Sequence, residues 1–112
     1  MQLIVSAEVL LSQLGYSKSE ASLKQAQKVI DATNNFDKFA KQIFTLNDHL
    51  KKMNAYVTLS NKTDYLKVKC EENDSDAIIE EFHEEVLHWA NKYNVKLERL
   101  DKKPIYYILG NF

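Results

Sequence analysis

A disulfide within the chain is excluded at once, because Cys70 is the only cysteine among 112 residues. The same scarcity rules out a Cys-rich zinc centre and fits a reducing compartment. Glycine and proline are almost as rare, with only Gly15, Gly110 and Pro104 present. Without a glycine-rich run there is no backbone cradle for phosphate of the Walker or Rossmann type, and little material for flexible linkers. No G-x-S-x-G motif, repeat or low-complexity tract occurs. Charge of one sign is lacking too: charged residues make up 28% of the chain yet sum to −1. A near-neutral chain has no general attraction for a polyanion. The longest apolar stretch, Leu3 to Leu14, is broken by Ser6, Glu8, Ser12 and Gln13, and no basic residue precedes Lys18. It is too short to span a membrane and lacks the pattern of a signal peptide, so the cytoplasm is the expected location, with no membrane partner.

What is present is enough apolar material, 45% of residues, to build one core without staples. A single α+β domain over residues 1–112 is expected, helical over about 1–54 and hairpin–helix–hairpin over about 55–112. Ala7, Leu10, Leu11 and Leu14 have helical spacing, and Gly15 offers a left-handed stop. Whether Leu3-Ile4-Val5 extends this helix or forms a strand stays open. Ser17-Lys18-Ser19-Glu20 reads as a capping box that starts a second helix at Lys18, running to about Thr33. After Asn34-Asn35, a third helix is marked by the stripe Phe36, Phe39, Ala40, Ile43, Phe44, Leu46, Leu50 and Met53.

Beyond Asn54 the apolar period changes to two. Ala55, Val57 and Leu59 alternate with Tyr56, Thr58 and Ser60; after the turn Asn61 to Asp64, Leu66, Val68 and Cys70 alternate with Tyr65, Lys67 and Lys69. This predicts an antiparallel hairpin with one buried face. Asn73-Asp74-Ser75-Asp76 supplies N-cap chemistry for a fourth helix, with Ile78, Phe82, Val86, Trp89 and Tyr93 inward and Asn94 at its end. A second hairpin pairs Val95 and Leu97 with Ile105 to Leu109 across a turn at Asp101 to Pro104. The expected architecture is three N-terminal helices followed by β-hairpin–helix–β-hairpin, with a four-stranded, mainly antiparallel sheet.

His83-Glu84-Glu85-Val86-Leu87-His88 comes close to the zinc-protease pattern H-E-x-x-H but is one residue too long. An i,i+5 spacing sets the two rings roughly 140° apart around a helix, so they cannot share a metal. An exposed Glu84–His88 pair is the expected arrangement, and no role falls to His49. Glu71, Glu72, Asp74, Asp76, Glu80, Glu81, Glu84 and Glu85 form an acidic run, which reads as a solvated face or as a docking surface for a basic partner. No catalytic residue, metal ligand or cofactor site is assigned.

Leu11-Ser12-Gln13-Leu14-Gly15-Tyr16-Ser17-Lys18-Ser19-Glu20-Ala21 resembles the helix–Gly–aromatic–helix corner of UBA-like three-helix domains. The resemblance spans one turn, and the third helix and the β half have no counterpart in it. Such domains mostly bind other proteins, which is what the resemblance implies here.

Three functions remain. The leading expectation is a non-enzymatic protein-interaction or regulatory module that binds another protein or a second copy of itself as a homodimer. Its interface candidates are Glu80, Glu81, Glu84 and His88 on the acidic helix, with Tyr106, Ile108 and Phe112 from a final segment that is apolar on both faces. Such a strand must be central, covered by helices, or used in an interface. The alternative is single-stranded nucleic-acid binding on a sheet face bearing Tyr56, Tyr65, Lys67, Lys69 and Lys96, with Tyr106 or Tyr107 joining them. A small enzyme without a recognisable motif is the third.

Overall fold

The computed structural model describes residues 6–71, 75–100 and 102–112. Leu3-Ile4-Val5, Glu72, Asn73, Asp74 and Asp101 therefore lie outside the described residues. Four helices and four strands follow in the order α1 (Ala7–Leu14), α2 (Glu20–Ala32), α3 (Phe36–Leu50), β1 (Ala55–Leu59), β2 (Leu66–Cys70), α4 (Asp76–Tyr93), β3 (Val95–Arg99) and β4 (Ile105–Asn111). The expected α+β layout is what forms.

Local chemistry explains the boundaries. Ser6 caps α1, and Gly15 ends it in the left-handed region at φ 80°, with the Tyr16 N–H closing back on the Leu11 carbonyl at 2.9 Å. The capping box of α2 differs from expectation: it joins Ser19 to Ser22, not Ser17 to Glu20. The Ser19 N–H donates to Ser22 Oγ at 2.8 Å and the Ser22 N–H donates to Ser19 Oγ at 3.1 Å. A second serine replaces the usual glutamate, and Glu20 pairs instead with Lys24 at 3.6 Å, one turn on. α3 tightens into a 3-10 turn at Lys51–Met53, and Asn54 at φ 54° redirects the chain into β1. Ser75 caps α4, and Asn94, also left-handed, ends it.

The sheet order is β1-β2-β4-β3, every pair antiparallel. β4 is thus central, which accounts for its apolar character on both faces. Tyr106 and Ile108, expected at an interface, are 4% and 0% exposed. Their correction follows from strand order: a strand hydrogen-bonded on both sides is interior, not an edge awaiting a partner.

Register sorts the side chains. Val57 faces Val68, Val68 faces Tyr106 and Leu66 faces Ile108, so these residues share one face with Ala55, Leu59 and Cys70. That face joins Leu10 and Leu11 of α1, Val29 of α2, the α3 stripe, and Phe82, Val86 and Trp89 of α4 in one apolar core. The opposite face carries Tyr56, Thr58, Lys67 and Lys69 with Ile105 and Tyr107. Ile105 and Tyr107 are buried yet lie outside the shared core.

Two side chains close the outer edge of β1. The Val57 N–H donates to Asn47 Oδ1 of α3 at 2.8 Å, and the Leu59 N–H donates to the Tyr16 hydroxyl at 3.1 Å. Tyr16 also contacts Thr58 Oγ1 through its hydroxyl. At the end of β4, Asn34 forms a parallel bridge with Gly110: the Asn111 N–H donates to the Asn34 carbonyl at 2.9 Å. Asn111 Nδ2 donates in turn to the Tyr93 carbonyl at 2.8 Å, so one residue ties the α2–α3 loop to the end of α4.

Candidate functional site

The outer flanks of α3 and α4 leave a groove between them. On α3 its wall is Lys41, Gln42, Thr45, Leu46 and His49; on α4 it is Glu85, His88, Trp89, Lys92 and Tyr93. Both sets step by three and four residues, so each is one side of a helix. The groove encloses about 240 Å³ and is open to solvent.

Trp89 anchors the floor. Its indole N–H donates to the Gln42 carbonyl at 3.2 Å, and its ring lies 6.4 Å from Phe39 and 6.1 Å from Tyr93. Packing and this hydrogen bond fix the ring, which is only 7% exposed. The rim is polar. His49 Nε2 lies 3.2 Å from Glu85 Oε2, bridging the two helices. Lys92 Nζ stands 5.4 Å above the Tyr93 ring, a cation–π contact. Among the described residues no carboxylate ion-pairs with Lys41 or Lys92.

Only His88 of the groove was singled out in the sequence as an interface residue. His49, given no role there, has Glu85 as its partner, and this pair stands where Glu84–His88 was expected; that i,i+4 pair does not form. No local signal could have revealed the contact, because it depends on how α3 and α4 pack. Glu80, Glu81 and Glu84 are exposed on α4, away from the core stripe. Phe112 is 70% exposed, with Lys96 Nζ 5.9 Å from its ring.

The near-zinc motif is split as its spacing requires. His88 lines the groove, whereas His83 turns to the sheet, where its Nδ1 lies 2.6 Å from the Tyr106 hydroxyl. Among the described residues no three His, Cys, Asp or Glu side chains converge on a metal position. Burial, and secondarily the positive charge of Arg99, lowers the His83 pKa below 6.5. Burial raises that of Tyr106 above 10.0, with Arg99 opposing. The phenol therefore keeps its proton beside a neutral imidazole, and the two share one hydrogen bond through Nδ1.

The sign of the pH effect follows. Between pH 6.5 and the lower native value, the unfolded chain binds a proton that the folded chain refuses. Stability is expected to be fully present above pH 6.5 and to fall as the pH drops through that window. Urea midpoints followed from neutral to acid pH should show this decline, and His83→Gln should flatten it.

The sheet-face candidates do not form one platform. Tyr56 is 36% exposed with Lys69 Nζ 5.7 Å from its ring; Tyr65, Lys67 and Lys69 are half-buried. Lys96 lies on β3, at the opposite edge of the sheet from β1. Between them Tyr107 is 7% exposed, and Tyr106 points to the other face, so neither offers a ring for stacking.

Among the described residues no helix is long and apolar enough to cross a membrane. No protein-family model matches the chain, and neither a curated protein nor a solved structure is significantly similar to it.

Proposed function

We propose that this chain is a non-enzymatic protein-interaction module whose docking surface is the α3–α4 groove. The observation that carries this reading is the combination, in one open groove, of a fixed aromatic floor with a polar rim that includes two lysines with no carboxylate partner among the described residues. Aromatic anchors desolvate a partner side chain, and a charged rim sets orientation and encounter rate. At about 240 Å³ the groove is smaller than the sites that enclose drug-sized molecules or cofactors, which supports a side chain of a larger partner as its occupant.

Affinity capture from native lysate with three baits tests this: the natural chain, Lys41→Glu/Lys92→Glu in the groove, and Tyr56→Ala/Lys69→Ala on the sheet. The expected outcome is a protein retained by the first and third baits and lost by the second. Recovery of the same proteins by all three, or loss only from the sheet variant, would count against the groove. In parallel, a mixed-sequence single-stranded oligonucleotide at about 50 mM salt, where phosphate neutralisation is strongest, is expected to give no fluorescence-anisotropy change with the natural chain.

A further inference from the structure

We infer that the groove takes a short acidic segment of a partner protein, in which carboxylates flank one large apolar side chain. This rests on the groove being the docking surface and adds the chemistry of what docks there. The argument is one of charge complementarity. Of the groove's charged groups, the one carboxylate, Glu85, is engaged by His49 across the helices. The ammonium groups of Lys41 and Lys92 have no described carboxylate, and both lysines are exposed. They rise from opposite walls, one from α3 and one from α4, toward the end of the groove where Gln42 meets Trp89. An apolar side chain seated on the Trp89 floor would place its neighbours against the two lysines. Acidic neighbours gain there, and basic neighbours are repelled, so the rim selects as well as attracts.

The volume restricts the occupant further. About 240 Å³ suits one leucine, phenylalanine or tryptophan side chain rather than a whole helix face. Exposed charge pairs are weak singly, so the two lysines together should account for roughly a tenfold change in affinity, steeply reduced by salt.

Selection from a random peptide library displayed on phage, with the whole chain as bait, supplies probes without naming a partner. The expected result is enrichment of peptides carrying acidic residues on both sides of Leu, Phe or Trp. Synthetic versions should bind in fluorescence anisotropy, weaken roughly tenfold against Lys41→Glu/Lys92→Glu, and lose all binding to Thr45→Trp, which fills the groove from its exposed wall. Circular dichroism establishes that each variant is folded, and Lys41→Gln/Lys92→Gln provides a milder version of the same test. The charge-reversed variant should gain affinity for peptides whose acids are replaced by lysine.

Peptides that bind and are blocked by Thr45→Trp, but show no acidic enrichment and no response to the lysine changes, would overturn the acidic chemistry while leaving the groove as a docking surface. Failure to select any peptide blocked by Thr45→Trp would overturn both. A reversible dimer, detected by sedimentation and abolished by Lys41→Glu/Lys92→Glu, would assign the groove to a second copy and overturn the partner segment.

Discussion

Gly110→Ala is expected to destabilise the fold by about 3 kcal/mol, combining backbone strain with an unrelievable clash. Gly110 has φ 145°, a region that side-chain-bearing residues rarely enter. A Cβ there would stand 2.6 Å from both Asn34 Cβ and Asn34 N, and 2.8 Å from the Asn34 carbonyl oxygen. Two of these atoms are backbone, held by the Asn34–Gly110 bridge itself, so no rotamer change makes room. The bridge would have to separate, releasing the Asn34 N–H bond to Leu109 and the Asn111 N–H bond to Asn34. Urea denaturation should show a lower midpoint with an unchanged slope, and the melting temperature should drop by about 10–20 °C. Gly15→Ala is the control. Gly15 also has positive φ, at 80°, but nothing lies within 4 Å of its added Cβ, so only the left-handed strain of about 1 kcal/mol should appear.

Asn47→Ala is expected to cost about 2–3 kcal/mol, the cost of leaving a buried amide without an acceptor plus a small cavity. Asn47 is 6% exposed, and its side-chain oxygen accepts from the Val57 N–H at 2.8 Å. Val57 lies in an outer strand, so no neighbouring strand can replace that acceptor. Amide hydrogen exchange gives a readout specific to the contact: Val57 should lose protection, while Val68 on the neighbouring strand should change only with global stability. A variant with unchanged Val57 exchange would show that the hydrogen bond contributes nothing.

Much of this architecture was legible because local signals agreed. Gly15 and Asn94 marked helix ends, the period changed from helical to two after Asn54, and short turns joined each hairpin. Strand order was not legible in the same way, because two hairpins can be placed side by side in several orders. The two-faced apolar character of Ile105 to Leu109 narrowed the choices, yet it fitted an interface as well as a central strand. Periodicity alone therefore leaves Tyr106 and Ile108 open to either role, and their burial in the core excludes the interface. The α2 cap shifted by two residues because Ser17, Ser19, Glu20 and Ser22 encode two overlapping boxes, and spacing alone cannot rank them.

The candidate site was the least legible part. Its halves lie on helices separated by the whole first hairpin, and each half reads locally as an ordinary solvated flank. Lys41 and Lys92 become a pair, and His49 finds Glu85, only once the core stripes of α3 and α4 have fixed the rotation of both helices. Trp89 was legible as a core residue, and it is one; its second use as a groove floor follows from lying at the margin of that core.

The closure of β1 by Asn47 and Tyr16 has a consequence for assembly. Of the two outer strands, β3 is the one whose edge no described side chain closes in this way. Extension through a single edge is self-limiting: two copies joined β3 to β3 would form a closed pair with two-fold symmetry. Growth into a filament needs a second reactive edge on every copy. Two polar side chains on the helical half of the chain occupy the β1 donors that such growth would use.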